Sequence, residues 1–377
     1  MSSAKIFISA GELSGDLHGG NLIKEIKKLE PNISISAIGG DNMARFGANL
    51  LYHIRDTAFM GFAEVVKHLP SIRKIWQNTL QFIDAEKLDL IVLIDYPGFN
   101  MRLAKAAYQR QIPVIYYISP QVWAWHQSRV KKIKKYINEV LCILPFEENW
   151  FKERGVNVTF VGHPLLDQHT DDKLTPSKHL QNIIDRASNL VGLFPGSRKQ
   201  EIERHLSVMI NAILLMRKDF PKMEAVVGVA PAIDFTQYKE QFPYKWLHWL
   251  SGENDEIMQN SNFLIVSSGT ASLEAAIYQT PMVVIYKMSP FSYWLGKIFV
   301  KVPYIAMANL IGGKQGITEL IQHEATPEKI AQEAYKILNT PDVENDIRLF
   351  LKSVLEKLGA PGASKRAAEI ITGYIHK

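Results

Sequence analysis

Short apolar runs alternate with amphipathic stretches along most of the chain. In the first half the runs are KIFISA (5–10), ISISAIGG (33–40), DLIVLID (89–95), PVIYYIS (113–119), EVLCIL (139–144) and VTFVGH (158–163). In the second half they are LVGLF (190–194), EAVVGVA (224–230), LHWLS (247–251), NFLIVSS (262–268) and PMVVIYK (281–287). Runs that are apolar throughout and rich in Val and Ile suit strands buried on both faces of a parallel sheet. Their alternation with helices over both halves predicts two doubly wound, Rossmann-like α/β domains. The polar stretch DQHTDDKLTPSKH (167–179) reads as the domain boundary or an insertion. The expected division is 1–165, 166–345 and a pair of C-terminal helices over 346–377, which could pack back on the N-terminal domain.

Composition narrows the class. With 377 residues, 47% hydrophobic and 21% charged, the chain can bury large cores without a disulfide or metal staple. Its one cysteine, Cys142, lies inside an apolar run and is expected to pack as a small hydrophobe, which suits a reducing compartment. The opening MSSAKIFISAGE lacks the basic and long apolar regions of a signal peptide, and nothing reaches the length of a spanning helix. The net charge of +5 fits anionic ligands or an anionic membrane surface. It is too small to call for nucleic acid, and no nucleic-acid motif accompanies it. D-x-D, H-E-x-x-H, C-x-x-C and EF-hand patterns are all missing, so no metal is expected.

In doubly wound domains ligands bind beyond the carboxyl ends of the strands. Three strand-to-helix turns there are rich in Gly, Ser and Thr. In FPGSRKQE (194–201), Gly196 permits close backbone approach, Ser197 adds a donor, and Arg198 can grip two phosphate oxygens at a helix N-terminus. An ordinary capped turn with a surface arginine would read the same. In VSSGTASLEA (266–275), Ser268, Gly269 and Thr270 form a second anion-friendly turn, and Glu274, one helical turn on, could bind ribose hydroxyls or be a solvated helix residue. Two such turns in one domain favour a nucleoside diphosphate. The third, SAGELSGDLHGG (9–20), does not fit G-x-G-x-x-G but could hold a second substrate, with Glu12, Asp16 and His18 at its mouth. Asp95, at the end of a buried run and before Tyr96-Pro97-Gly98, suits a general base or a helix cap.

Two further features concern surfaces. SPQVWAWHQSRVKKIKKY sets Trp123 and Trp125 before five basic residues, a membrane-interface composition or a solvated basic helix. The apolar stretches 61–83 and 289–311 are too interrupted to span a bilayer. Either they lie in an interface or they are buried against the other domain; Ile72, Ile75, Trp76 and Ile83 share one helix face, and Trp294, Lys297 and Lys301 fall in the second stretch.

The blocks SAGELSGDLHGG, MGFAEV, IDYPGFN, YYISPQVWAW, LPFE, FVGHPLLD, PGSRKQEI, SSGTASLEA and MANLI, in this order from about residue 5 to about 320, closely resemble those of the bacterial lipid-A-disaccharide synthases. The resemblance implies a glycosyltransferase-B fold, with two domains facing a central cleft. It also implies inverting, metal-independent transfer of 2,3-diacylglucosamine from its UDP derivative to 2,3-diacylglucosamine 1-phosphate (lipid X), with no cofactor. The place of work would be the cytoplasmic face of the inner membrane, as a peripheral protein that could form a homodimer. Carried over by motif, Asp95 is the base on the acceptor hydroxyl and Arg198 holds the diphosphate. Gly196, Ser197, Ser268, Gly269, Thr270, Glu274 and Asn309 complete the donor site, and Gly11, Glu12, Ser14, Gly15, Asp16 and Asn100 line the acceptor site. Gly98 stands where some members carry a second Asp, so the base rests on Asp95. The rival readings are another B-fold enzyme, such as a UDP-N-acetylglucosamine 2-epimerase or a peptidoglycan-type glycosyltransferase, and a membrane-surface protein that keeps the fold without catalysis.

Overall fold

The computed structural model describes residues 4–57, 69–124, 127–167, 174–229, 233–267, 270–290, 293–294 and 302–376. The chain divides into two units, Met1–His169 with Leu358–Lys377, and Thr170–Lys357.

The first unit is built on a seven-stranded sheet in the order β3-β2-β1-β4-β5-β6-β7. Its strands are β1 (Lys5–Ser9), β2 (Ser34–Gly39), β3 (Asn49–His53), β4 (Leu90–Ile94), β5 (Val114–Tyr117), β6 (Glu139–Cys142) and β7 (Val158–Phe160), and every pairing is parallel. Side chains alternate between two buried faces, as the pleat requires. Ile6, Ile8, Val92 and Ile94 pack with Leu22, Ile23 and Ile26 of the helix Leu13–Leu29 and with Ala367, Ala368 and Ile371 of the helix Ala363–Ile375. Phe7, Ile91 and Leu93 pack on the other face with Ile83 of the helix Leu69–Glu86 and Leu103, Ala104 and Ala107 of the helix Pro97–Gln109. The last helix is fastened by Asp167, whose carboxylate accepts from the N–H groups of Gly362, Ala363 and Ser364 at 2.7, 2.9 and 2.9 Å. Arg366 donates from Nε to the Val161 carbonyl at 2.8 Å.

The second unit carries a six-stranded parallel sheet in the order β10-β9-β8-β11-β12-β13. Its strands are β8 (Asn189–Phe194), β9 (Met223–Val229), β10 (Leu247–Ser251), β11 (Phe263–Ser267), β12 (Met282–Tyr286) and β13 (Thr318–Ile321). The helix Pro341–Lys357 belongs to this unit; only the chain from Leu358 onward belongs to the first. In both sheets the strand order reverses beside the first strand of the unit, between β1 and β4 and between β8 and β11. Doubly wound sheets bind ligands at such points.

Two strands, β3 and β13, were not foreseen. Each is an edge strand with one neighbour and half-exposed side chains, so neither NLLYH nor TELI forms a run rich in Val and Ile. The membrane-interface reading of Trp123 is also corrected: the indole is buried in the first unit and edge-on to Phe146 at 4.8 Å. Ile75 and Ile83 are likewise buried, with Trp76 partly buried against the same core. The basic helix Val130–Tyr136 does expose Lys131, Lys132, Lys134 and Lys135, and Trp294 is 59% exposed. The MGFAEV block, Trp125, Lys297 and Lys301 lie outside the described residues.

Candidate active site

In the first unit the turns after β1 and β4 flank the reversal point. Asp95 follows the buried LIVLI strand, and its backbone is left-handed, with φ 43°; Tyr96 follows at φ 51°. Two consecutive non-glycine residues in this region are a strained arrangement that the surroundings must enforce. The Asp95 N–H donates to the Ile118 carbonyl at 3.2 Å. Its carbonyl accepts from the Tyr116 hydroxyl at 2.6 Å and from Asn100 Nδ2 at 2.7 Å. The Tyr96 ring lies over Gly11, where a Cβ would sit 2.2 Å from a ring carbon, so only glycine fits beneath it. Burial raises the Asp95 carboxyl above the ordinary carboxylate range, and the carboxylate of Glu12 adds to the rise. A half-buried carboxylate with a raised pKa at the head of a strand has the character of a general base. Glu12, the N-cap of the helix Leu13–Leu29, and Ser14, in its first turn, are exposed.

Three residues expected to touch substrate have their polar atoms buried and engaged within the fold. Asp16 accepts from the N–H groups of Gly40, Asn42 and Met43 at 2.6, 3.0 and 3.1 Å, capping the helix Asp41–Arg45. Asn100 is fully buried; Oδ1 accepts from the Ser9 hydroxyl at 2.7 Å, while Nδ2 faces the carbonyls of Ser9, Ile94 and Asp95. It clasps the ends of β1 and β4 and fixes the peptide of Asp95. Asn309, in the second unit, is fully buried; it accepts from Gly316 N and Ile317 N and donates to Ile317 O and Glu319 Oε1. Gly15 is buried against Ala10, which lets the first helix lie close to β1.

In the second unit the turn after β8 leads into the helix Lys199–Met216. Gly196 adopts φ 117°, and a Cβ there would lie 2.5 Å from Glu201 Oε2. Arg198 is the N-cap of the helix Lys199–Met216, and its N–H donates to Glu201 Oε2 at 3.4 Å. Its guanidinium is largely exposed and meets Glu201 Oε1 at 3.4 Å, a loose surface pair that an incoming anion can displace. Ser197 is exposed beside it. Sequence reasoning missed His205, which is fully buried beneath this turn. Its Nε2 accepts from Lys287 N at 2.9 Å, so Nδ1 carries the proton and donates to the Pro195 carbonyl at 2.9 Å. Burial holds its pKa below the ordinary histidine value, in keeping with a neutral ring. A lone histidine on an apolar helix face carries no sequence signal of this bridge.

On the turn after β11, Ser268 and Gly269 lie outside the described residues, and the helix Thr270–Ile277 begins there. Glu274 is pushed up to about 7, first by burial and then by the nearby carboxylate of Asp255. An acid poised there can accept hydroxyl hydrogen bonds once ionised. Among the described residues, no group of three or more His, Cys, Asp or Glu side chains is arranged to hold a metal ion.

Two parallel sheets of this order, each with its candidate groups at the reversal point, define the glycosyltransferase-B fold. The comparisons agree on the fold. The chain is similar over its whole length to the glycotransferase of kitacinnamycin (13% identity, 100% of both chains, TM-score 0.67). It is similar likewise to a UDP-GlcNAc 2-epimerase from Neisseria meningitidis bound to UDP-GlcNAc (12% identity, 98% of this chain and 100% of that one, TM-score 0.67). Sequence narrows this to one family. Residues 6–370 match the family model described as lipid-A-disaccharide synthetase. Proteins named lipid-A-disaccharide synthase are 37% identical in Geobacter metallireducens (99% of this chain, 98% of that one), 38% in Syntrophus aciditrophicus (100% and 99%) and 33% in Coxiella burnetii (100% and 100%). The chain belongs to the lipid-A-disaccharide synthase family.

Proposed function

We propose that the chain transfers 2,3-diacylglucosamine from its UDP derivative to lipid X with inversion, giving the β-1,6-linked lipid A disaccharide 1-phosphate and UDP. The observation that carries this reading is the full-length family match, joined to a base-like carboxylate at the reversal point of the first sheet and an arginine-bearing helix N-terminus at that of the second. Asp95 takes the proton from the acceptor 6-hydroxyl as its oxygen attacks the anomeric carbon. The bond to UDP breaks and leaves negative charge on the diphosphate. Arg198, the first N–H groups of its helix and Ser197 receive that charge, the role of an oxyanion-type site. Glu274 holds the ribose. With this set of donors no divalent ion is required. Glu12 and Ser14 help to seat the acceptor.

The acyl chains of both substrates call for work at a membrane surface, and the exposed Leu13 and Trp294 and the lysine-rich helix Val130–Tyr136 support a peripheral attachment. Among the described residues no helix is long and apolar enough to cross a membrane. The cytoplasmic face of the inner membrane is the site this implies, and a homodimer is compatible with it. The deciding experiment incubates the full chain with the acylated UDP-sugar and lipid X and looks for a tetraacyl disaccharide phosphate by mass. Turnover of a non-acylated UDP-sugar with no such product would favour the epimerase or peptidoglycan-type reading instead. Co-sedimentation with anionic vesicles at low salt tests the attachment, and its absence there would remove it.

A further inference from the structure

Two sequence blocks that the proposed chemistry leaves without a role, SPQVWAW and LPFE, meet at one residue. Glu147, the third residue of the helix Pro145–Lys152, is 1% exposed. Its Oε1 accepts from the Trp123 indole N–H at 2.9 Å and from the Ser119 hydroxyl at 3.5 Å, and its Oε2 accepts from Leu144 N at 3.1 Å. A buried carboxylate with this many donors is a fixed point, because removing it would strand each of them. Burial still pushes its carboxyl up to about 7, against the pull of those donors.

The segment it fixes adjoins the candidate base. Ser119 follows Ile118, a β-branched residue held at φ 57°. The Ile118 N–H donates to Leu141 O at 3.1 Å, and its carbonyl accepts the Asp95 N–H at 3.2 Å. The chain after β5 is thus tied to Asp95 at Ile118 and to Glu147 at Ser119 and Trp123. Trp123 is also wedged against Phe146, beside Glu147 in sequence. We infer that Glu147 is a positioning residue for Asp95, setting the course of residues 119–124 and, through the Ile118 carbonyl, the orientation of the strained Asp95 peptide. This inference rests on the reading of Asp95 as the base.

The test uses the full chain and three variants, Glu147→Gln, Trp123→Phe and Asp95→Asn. Glu147→Gln keeps the size but sets an amide N–H against a backbone N–H; Trp123→Phe removes one donor and leaves the charge. Each is expected to lower kcat roughly tenfold through displacement of the base. UDP affinity by calorimetry and KM for the donor should stay within about twofold, the donor groups being in the other unit. In Glu147→Gln the Trp123 indole N–H resonance should move while the far-UV spectrum stays unchanged. If Asp95→Asn is inactive but both other variants turn over within about twofold of the parent, the positioning role is overturned. A parallel loss of UDP affinity would also overturn it, by reducing Glu147 to a support of the fold. Full activity in Asp95→Asn would instead remove the base reading on which the inference stands.

Discussion

Asn100→Leu separates substrate binding from positioning at the candidate site. The change keeps the branched shape and heavy-atom count of a fully buried side chain, adds volume because two methyls replace an oxygen and an amide nitrogen, and removes every polar atom from it. It deprives the Ser9 hydroxyl of its acceptor at 2.7 Å and the Ile94 and Ser9 carbonyls of a donor at 3.1 and 3.2 Å. The Asp95 carbonyl loses one of two donors and keeps the Tyr116 hydroxyl. Leaving a buried polar group unpaired costs about 1–3 kcal/mol, so with one hydroxyl and one or two carbonyls exposed to this penalty the variant should lose about 2–9 kcal/mol. The kinetic effect has a separate origin. Asp95 and Tyr96 stay at positive φ only because the surroundings hold them, and each such residue stores about 1–3 kcal/mol. Without the clasp the backbone can relax, and a shift of about 1 Å in a reacting group can lower the rate by about 10²-fold. Urea unfolding, kcat with saturating substrates and UDP affinity by calorimetry form the assay. Lower stability and a kcat reduced by about 10² or more, with UDP affinity unchanged, is the expected pattern. A variant as stable and as active as the parent would show that the clasp does neither job. A stable variant with a raised acceptor KM and normal kcat would return Asn100 to substrate contact.

The remaining predictions concern the groups that would meet substrate. Asp95→Asn should cut kcat by roughly 10²–10⁴-fold with UDP affinity within a few-fold, the usual scale for a general base; normal turnover would move the search to Glu12. Arg198→Ala should lose about 10² or more in kcat, and Arg198→Lys should rescue it poorly, because one ammonium cannot replace the planar fork. Near-parental turnover of the alanine variant would take Arg198 out of the mechanism. Glu274 sits near 7 in the free protein, so below that pH it is mostly protonated and must ionise to accept two ribose hydroxyls. UDP affinity should therefore rise with pH from 6 to 8 more steeply in the parent than in Glu274→Gln, where only the titration of the phosphate itself remains; equal slopes would remove Glu274 from the ribose. Turnover should persist in excess chelator, and a loss by EDTA that a divalent ion restores would replace the arginine-and-helix account.

The alternation of strand and helix, the doubly wound class and the turns where chemistry could sit are legible in the residue pattern alone. Those signals are local: a Val- and Ile-rich run is buried wherever it goes, and Gly-Ser-Arg before a helix makes an anion-friendly turn with no distant partner. Tertiary structure decided which polar residues face inward. Asp16 and Asn100 read in sequence like Glu12 and Asp95, since all four are polar groups in the blocks that follow a strand. They differ because Asp16 meets N–H groups 24 to 27 residues away and Asn100 meets Ser9 across 91 residues, contacts that exist only once β2 and β4 lie beside β1. Trp123 read as an interface residue until Glu147, 24 residues on, supplied a buried acceptor. The edge strands β3 and β13 escaped for the complementary reason: their pairing is set by one neighbouring strand, and half-exposed side chains leave no continuous apolar run to announce it.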